Sequence, residues 1–480
     1  MDFIIVLPVL IPIIAFMIMG LNKKLDDNNS FKLTSFVVFL NLIIYILILR
    51  FSNVREFTIF EVSDFFKILI KLDYLGLLFS FLASILWIFT TFYSKEYMDH
   101  EKNQKRFYTF FIGTLGVTLG IAFSGNLFTL YIFYELLTLA TFPLVIHSES
   151  KEAFKSGRKY ILYSFFGATL VLLGMIFLYK ISPDFTFIAK GSIYKDADAN
   201  LIKMAFMCMF LGFGVKAALV PFHSWLPSAM VAPTPVSSLL HAVAVVKSGI
   251  FAIVRITYYI FGKEALLKAD VVIYASIFIG ITILMGSLLA LSHDNLKKRL
   301  AYSTISQLGY IMLGIMMLNE NALLGGLLHL INHALIKIVL FFCAGAIYIK
   351  AHEKEISNIK GIGKQMPITM WCFAISSISL IGIPPSNGFV SKWYLALGGL
   401  NANKIMFPVI LLLSAFLTAA YLLPIVITAF FAKGEIRSEV TDPSKYMIVP
   451  IVCITSLVVF IGLFPNLIID FIRNITNTVL

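Results

Sequence analysis

The sequence predicts an all-α membrane protein with about 14 transmembrane helices, since each crossing needs about 20 apolar residues. Three observations support this fold class. The 480 residues are 59% hydrophobic and 13% charged, with a mean hydropathy of +0.91. Apolar runs of near-spanning length recur along the whole chain, and two of them are interrupted at matching places. Such a composition is far from that of a soluble domain.

The apolar runs begin at the N-terminus. The first starts after Asp2, without a basic region or a small-residue cleavage site, so it is predicted as a spanning helix and not as a signal peptide. The predicted spans are 3–20, 33–51, 74–93, 107–125, 127–147, 160–180, 202–220, 235–261, 271–292, 300–317, 322–349, 367–400, 405–431 and 447–470. The stretch "REFTIFEVSDFFKILIKL" between the second and third spans is too charged to cross, and is predicted as an interfacial helix or a short strand.

The spans predict two inverted repeats. Spans 4 to 8 and spans 9 to 13 form two sets of five, and an odd number per set makes the second set enter from the opposite side of the membrane. The predicted segments are an N-terminal three-helix segment at 1–106, a first repeat at 107–262, a second repeat at 270–431, and a C-terminal loop and last helix at 432–480.

The fourth helix of each set is interrupted by proline. Pro221 breaks span 7, and Pro384 with Pro385 breaks span 12. Lys216 lies five residues before the first break and Lys392 seven residues after the second. One break alone would indicate a packing kink, whereas matched breaks with nearby charges indicate an ion site, because free helix ends face ions in transporter folds.

The basic residues predict the orientation. Of 38 lysines and arginines, 21 fall in the loops on one side, 12 on the other, and five within spans. The richer side is predicted to face the cytoplasm, which places both termini outside. A net charge of +12 therefore indicates anionic lipid and cytoplasm, and not nucleic acid, as the partner.

Charges within spans require an explanation, since each costs roughly 2.5–3.5 kcal/mol on insertion scales. Glu135 is short and mid-span, so it needs a cation partner, for which Lys216 and Lys247 are the candidates. Arg255 lies near the end of its span, where reaching the interface explains it as well as a function does.

One span carries three ionisable residues on one face. In "LLHLINHALIKIVLFFCAGAIYIK", His329, His333 and Lys337 are four residues apart, so they line about 12 Å of helix axis. Imidazole exchanges protons near neutral pH. The pattern therefore predicts a proton row, and the alternative is hydrogen bonding to neighbouring helices. His241 and Lys247 share span 8, about 120° apart on a regular helix.

The cysteine and glycine patterns do not indicate a redox centre in this chain. Cys208, Cys343, Cys372 and Cys453 are scattered in apolar stretches without metal-ligand spacing. The sequence lacks a dinucleotide-binding glycine motif and a haem ligand pair. We therefore expect no metal or cofactor in this chain.

The chain resembles a known family at these residues. The stretches "YELLTLATFPLV", "GFGVKAALVPFHSWLPSAMVAPTPVSSLLHAVAVVKSG", "LAYSTISQLGY", "LLHLINHALIKIVLFFCAG" and "GIPPSNGFVSKWYL" are similar to those of the antiporter-like, proton-translocating subunits of respiratory complex I, Mrp cation/proton antiporters and membrane-bound hydrogenases. The resemblance covers all the predicted spans. It implies a subunit of the complex I middle type or the Mrp D type.

The resemblance also implies roles. Glu135 and Lys216 would form the charged pair of the first half-channel, Lys247 with His329, His333 and Lys337 the central axis, and Lys392 the end of the second half-channel. Position 392 is lysine where some relatives carry glutamate. The implied partners are other membrane subunits and peripheral redox subunits that hold any iron–sulfur, nickel–iron or flavin groups, in a prokaryotic inner membrane.

Three functions stay open at this level. The first is a proton-translocating subunit driven by a partner oxidoreductase. The second is a subunit of an Mrp-type sodium/proton antiporter without a redox partner. The third is a membrane anchor whose buried charges only fix helix packing.

Overall fold

The computed structural model describes residues 2–51, 56–63, 66–182, 184–194, 196–434 and 440–480. Most of this is α-helix. The helices are α1 (Leu7–Leu21), α2 (Asp27–Phe51), α3 (Tyr74–Met98), α4 (Gln104–Ala122), α5 (Leu127–Val145), α6 (Lys151–Leu178), α7 (Ala199–Lys216), α8 (Trp225–Ser228), α9 (Thr234–Ala242), α10 (Val245–Arg255), α11 (Gly262–Lys268), α12 (Val271–Leu291), α13 (Leu296–Met316), α14 (Glu320–Ala351), α15 (Pro367–Ile381), α16 (Asn387–Asn401), α17 (Met406–Phe431), α18 (Lys445–Leu463) and α19 (Asn466–Val479).

The helices confirm an all-α membrane fold. Among the described residues, 11 helical segments are long and apolar enough to cross a bilayer. The predicted total of about 14 also counts α4, α13 and the interrupted pair α15 and α16. These helices are either too short or not apolar enough to belong to the 11. The total, and the division into two inverted repeats, therefore stay predictions.

The charged stretch after α2 forms a hairpin. Strand β1 (Glu56–Glu61) pairs antiparallel with β2 (Lys67–Lys71), so the short-strand alternative holds and the interfacial helix does not. Strand β2 is tied to the bundle because Asn126 donates to the main-chain oxygen of Lys67 at 2.9 Å. Residues 55, 64 and 65 of this predicted stretch lie outside the described residues, as do residues 435–439 of the predicted loop before the last span.

Both predicted breaks are present, together with a third break that was not predicted from the sequence. Helix α7 ends at Lys216 before Pro221, and α15 ends at Ile381 before Pro384. The third break separates α9 from α10 at Val243 and Ala244, which was predicted as continuous helix. No proline marks it. The backbone angles of these two residues leave the helical region (φ −149° for Val243, ψ −84° for Ala244).

The last predicted span, 447–470, runs too far. Helix α18 ends at Leu463, and Pro465 separates it from α19. Helix α19 buries one isoleucine-rich face, including Ile469, Ile472 and Ile475, while Asp470 and Arg473 remain exposed. It is amphipathic, and such helices lie along a membrane surface or on neighbouring helices.

Helix α14 occupies the centre of the bundle. Nearly all of its 32 residues are buried, and it packs against α9, α13, α15, α16 and α18. The perimeter carries exposed apolar side chains instead, for example Phe165 on α6, Ile277 on α12 and Phe416 on α17. An apolar outer surface around a polar centre is what a lipid solvent requires. The ionisable residues of α14 are therefore held away from lipid.

Candidate functional site: buried ionisable side chains on broken helices

The first charged pair lies between α5 and α7. Lys216 is the last residue of α7 and is 1% exposed. Its ammonium donates to the main-chain oxygen of Tyr134 and lies 3.4 Å from the centroid of the Tyr134 ring. Glu135 and Lys216 interact electrostatically. Oxygen Oε1 of Glu135 is buried without a hydrogen-bond partner among the described residues, so attraction across a gap, and not a direct ion pair, links them.

The third break brings Lys247 onto α14. Its Nζ atom lies 2.5 Å from Nδ1 of His333 and 3.5 Å from the main-chain oxygen of His241. The interruption between α9 and α10 changes the expected geometry, because Lys247 and His241 no longer sit on one regular helix. His241 stacks on Phe341 with ring centroids 4.6 Å apart, and both of its ring nitrogens lack a partner among the described residues.

The three ionisable residues of α14 all face the interior. His329, His333 and Lys337 are at most 1% exposed. They do not contact one another directly: the ring centroids of the two histidines are 6.1 Å apart. Lys337 instead donates to the main-chain oxygen of Leu300 at 2.8 Å and to the hydroxyl of Ser303. We call His329, His333 and Lys337 the α14 row.

Lys392 binds the free end of a broken helix. Its ammonium donates to the main-chain oxygens of Leu380 at 2.7 Å and Ile381 at 2.9 Å. These carbonyls have no intrahelical partner at the end of α15, and the helix dipole is negative there. Gly382 permits this approach, since its φ is +90° and an added Cβ would lie 2.9 Å from Cδ of Lys392. The second break thus provides two main-chain oxygens that bind the ammonium group of Lys392.

Several polar partners of these residues were not predicted from the sequence. Gln307 and Ser391 bind the two ring nitrogens of His329, at 3.0 Å and 2.9 Å. Asn332 donates to the main-chain oxygen of Asn387 at 2.7 Å, which ties α14 to the start of α16. A buried amide inside a spanning helix is itself a signal, because it needs a partner in lipid. Asn332 and Gln307 could have been found that way.

Arg255 belongs to a structural contact. It pairs with Asp73, which also caps α3 by accepting from the amide of Gly76 at 2.8 Å. The guanidinium lies 4.7 Å from the centroid of the Tyr259 ring and 5.0 Å from that of Phe187. This pair links the start of α3 to the end of α10. The geometry therefore fits a structural role for Arg255 better than a functional one.

A polar cavity of about 890 Å³ opens at the end of the bundle where the loops are rich in lysine. Five lysines and three glutamates line it, among them Lys297 and Glu101. Burial raises the pKa of Glu101, and the nearby charges of Lys297 and Lys354 oppose that rise. We call this the basic cavity. Thr234, the first residue of α9, is part of its wall.

The site consists of ionisable side chains and their polar partners. Among the described residues no group of three or more histidine, cysteine, aspartate or glutamate side chains is arranged to bind a metal ion. The ionisable groups of the site are four lysines, three histidines and one glutamate, and their partners include hydroxyls, an amide and main-chain oxygens. In a membrane interior such side chains are typical of ion and proton pathways.

The fold and these side chains define a multi-pass membrane protein with a buried polar axis. The chain belongs to the family described as NADH:quinone oxidoreductase/Mrp antiporter, transmembrane, which matches residues 124–418. The predicted family resemblance is thus confirmed.

Individual proteins agree with this assignment. The chain is 33% identical over 385 residues to the NADH-quinone oxidoreductase subunit N of Desulforudis audaxviator, covering 77% of this chain and 76% of that one. It spans about half the length of other curated relatives that it matches.

Two solved structures share the fold. A chain of the membrane-bound sulfane sulfur reductase, an archaeal respiratory membrane complex, superposes with a TM-score of 0.87 at 21% identity, over 99% of this chain and 97% of that one. A chain of the Mrp complex from Dietzia sp. DQ12-45-1b gives 0.85 at 19% identity, over 100% and 97%.

Proposed function

We propose that this chain is an ion-translocating, antiporter-like subunit of a membrane complex related to respiratory complex I. The observation that carries the proposal is the 2.5 Å contact between Lys247 and His333, because it joins ionisable groups of the two predicted halves inside the bundle. A distance near 3 Å is what a direct proton hop requires. The transported ion at this contact is therefore a proton.

The basic cavity is the proposed entrance. Thr234, Ser238 and His241 follow one another on α9 at helical spacing, and all three are buried. They lead from the cavity wall towards Lys247. Hydroxyl and imidazole groups at these intervals carry protons when waters fill the gaps between them.

Lys216 with Glu135 and Lys392 occupy the two ends of this axis in the proposal. Each lysine sits beside a broken helix, where it responds to a change of charge nearby. A proton that arrives at Lys247 repels the other ammonium groups of the axis, and a low-dielectric interior makes this repulsion stronger than it would be in water. Movement of charge along the axis would thereby be coupled to the uptake and release of protons at its lysines.

The orientation and the repeats belong to the same proposal. We place the basic cavity on the cytoplasmic side of a prokaryotic inner membrane and both termini outside, on the basis of the lysine-rich loops. Residues 107–262 and 270–431 act as the two inverted half-channels, and the flanking segments 1–106 and 432–480 pack around them.

The partners are proposed from the relatives. The neighbours in fold are subunits of multi-subunit complexes, so lateral membrane subunits are expected, together with peripheral redox subunits that hold the iron–sulfur, nickel–iron or flavin groups. The alternative is an Mrp-type sodium/proton antiporter without a redox partner. This alternative stays open because the TM-score with the Mrp complex is similar to that with the sulfane sulfur reductase complex.

Purification in mild detergent, followed by reconstitution, tests both. Copurification with an oxidoreductase, and proton pumping that starts when its electron donor is added, supports the first function. Pumping driven only by a sodium gradient supports the alternative. A single chain that is stable and fully active without any partner would contradict the subunit proposal.

A further inference from the structure

The basic cavity carries more positive charge than its own carboxylates balance. Five lysines against three glutamates leave a formal surplus of two positive charges on its wall. Among the described residues none of these lysines forms an ion pair with a carboxylate, whereas Lys71, Lys95 and Lys350 elsewhere each do so. A cleft lined by charge of one sign concentrates ions of the opposite sign, so this wall favours an anion. The five lysines are Lys155, Lys159, Lys297, Lys298 and Lys354.

Three helices begin at this cavity. Ser150 caps α6 by accepting from the amide of Ala153 at 3.1 Å, and Asn295 caps α13. Helix α9 begins at Thr234 after Pro233, which provides no side-chain cap. All four of these terminal residues line the cavity wall. Because the first amides of a helix carry partial positive charge and bind anions, the uncapped start of α9 adds to the attraction of the lysines.

Lys297 is held beside this end of α9. Its ammonium donates to the main-chain oxygen of Ala232 at 2.7 Å, two residues before Thr234. An ammonium group has three protons, and this is its one hydrogen bond among the described residues, so two protons are available to a ligand. Lys297 therefore places an ammonium group next to the helix end at which an anion binds most readily.

Lys159 supplies a second ammonium group from α6. It donates to the hydroxyl of Ser228 at 3.3 Å, and that hydroxyl donates to the main-chain oxygen of Ser224 at 2.9 Å. Lys155 lies one turn earlier on α6, is exposed, and also lines the cavity. Two helices, α6 and α13, thus contribute ammonium groups to one cavity, which suits an anion with several oxygens, such as phosphate.

Helix α6 also borders the apolar perimeter of the bundle. Phe154 is 51% exposed and Leu162 is 58% exposed, and both are close in sequence to Lys155 and Lys159. Anionic phospholipid headgroups bind in basic pockets between membrane helices on the cytoplasmic side, where the proposed orientation places this cavity. A phospholipid can therefore insert its phosphate among the lysines while its chains cover the exposed apolar side chains of α6.

We propose that the basic cavity is a binding site for a phosphate group of net negative charge, held between Lys159, Lys297 and the start of α9. An anionic phospholipid and a free phosphate ion share this chemistry. The cavity volume of about 890 Å³ lies within the range of ligand pockets, roughly 300–1,000 Å³. The binding is non-covalent and goes beyond the proposed ion transport, because it does not depend on the movement of any proton.

Ligand binding to the purified complex, kept in detergent and depleted of lipid, tests the proposal. Native mass spectrometry counts bound phosphatidylglycerol during a titration, and equilibrium dialysis counts bound inorganic phosphate. The variant Lys155→Gln/Lys159→Gln/Lys297→Gln removes three charges from the cavity wall. For at least one of the two ligands we expect a bound molecule in the wild type whose affinity is about tenfold or more lower in this variant, since each lysine near an anionic headgroup adds to its attraction.

The matched control is Lys23→Gln/Lys24→Gln/Lys32→Gln. It removes three charges from exposed positions around the start of α2 that do not line the cavity, and it should bind as the wild type does. Arginine at the three cavity positions keeps the charge and should retain binding. Zwitterionic phosphatidylcholine should bind equally to all variants, because it has no net charge for the surplus of lysines to attract.

The two ligands distinguish the sources of the phosphate. A loss confined to phosphatidylglycerol assigns the site to a phospholipid, and a loss of inorganic phosphate assigns it to a free phosphate ion. Equal binding by the wild type and the cavity variant overturns the proposal, whether water or an acidic segment of another subunit fills the cavity. An equal loss in the control variant overturns it as well, because net charge alone would then be responsible.

Two further outcomes stay decisive. If the triple cavity variant fails to assemble, Lys155→Gln/Lys159→Gln replaces it, with Lys23→Gln/Lys24→Gln as its control. A complex that binds the ligand at this cavity but moves no ions overturns the proposed function and leaves the binding site intact.

Discussion

The ammonium of Lys247 and Nδ1 of His333 lie 2.5 Å apart, between α10 and α14. A charged Lys247 has only donors, so in that state Nδ1 of His333 is the acceptor and the ring proton lies on Nε2. That nitrogen has no partner among the described residues. In the proposed function, His333 would therefore receive a proton at one nitrogen and release it at the other.

The first prediction concerns the end of the α14 row. Replacing Lys337 by methionine removes an ionisable group but keeps a long apolar side chain. We expect ion transport to fall about tenfold or more while the thermal midpoint of the complex stays the same or rises, because an apolar side chain is easier to bury than an ammonium. Pumping by proteoliposomes and thermal unfolding of the same preparation measure the two effects. Normal pumping by Lys337→Met would remove this residue from the mechanism.

The matched control is Lys180→Met. Lys180 is exposed at the end of α6 and lies outside the buried axis. This variant should pump at the wild-type rate.

The second prediction concerns the first charged pair. Glu135→Gln keeps the size of the side chain and removes its charge, so Lys216 loses the carboxylate with which it interacts. We expect coupled transport to fall about tenfold or more while the complex still assembles, since mid-membrane carboxylates in such positions serve transport. Glu264→Gln, an exposed residue of α11, is the control. Transport near the wild-type rate in Glu135→Gln would show that the pair is not needed.

Much of the fold could be predicted because membrane helices leave a strong pattern. Length, hydropathy and proline located the spanning segments and the breaks at Pro221 and Pro384. The break at Val243 could not be found, because no residue there excludes a helix. The break accompanies the contact of Lys247 with His333 on another helix, which the local sequence does not reveal. The span ending at 470 was too long because the apolar face of α19 continues the hydrophobic run beyond Leu463.

The site was predictable by residue type and not by contact. A glutamate, lysine or histidine in an apolar run is visible in sequence, whereas its partner depends on helix packing. Thus Lys337 was expected to extend a row with His333, but it binds Ser303 on another helix. Serine and threonine give little signal, since they also bond to their own helix, as Thr282 does to Phe278.

The third prediction concerns Asp73, which pairs with Arg255 and caps α3. Asp73→Asn leaves an arginine that is 1% exposed without its countercharge. We expect a loss of stability on the order of 3 kcal/mol, as is typical when one partner of a buried ion pair is removed. Thermal or denaturant unfolding of the purified complex measures it.

Adding Arg255→Met should restore part of that stability, because no unpaired charge then remains buried. Transport measured per folded complex should change little in either variant. A large loss of specific transport with unchanged stability would mean that the pair acts in the ion pathway.

The fourth prediction uses His147, in the loop between α5 and α6. Its Nε2 donates to the main-chain oxygen of Lys102 at 2.9 Å, and its Nδ1 is buried without a partner among the described residues. Burial, together with the positive charge of Arg106, lowers the pKa of His147 to about 4. Arg106 itself pairs with Glu149, so its charge remains close to the imidazole.

The sign of the pH effect follows from this low pKa. Between about pH 6.5 and pH 4 the unfolded chain binds a proton at His147 that the folded chain does not, so the stability is present above pH 6.5 and is lost as the pH falls, by an amount on the order of 3 kcal/mol. His147→Gln keeps a donor for Lys102 and does not titrate. The thermal midpoint of this variant should therefore fall less than that of the wild type between pH 7 and pH 5, whereas His100→Gln, at an exposed position, should follow the wild type. Parallel pH profiles for the wild type and His147→Gln would contradict the low pKa, because the same proton uptake would then occur in the folded and unfolded chains.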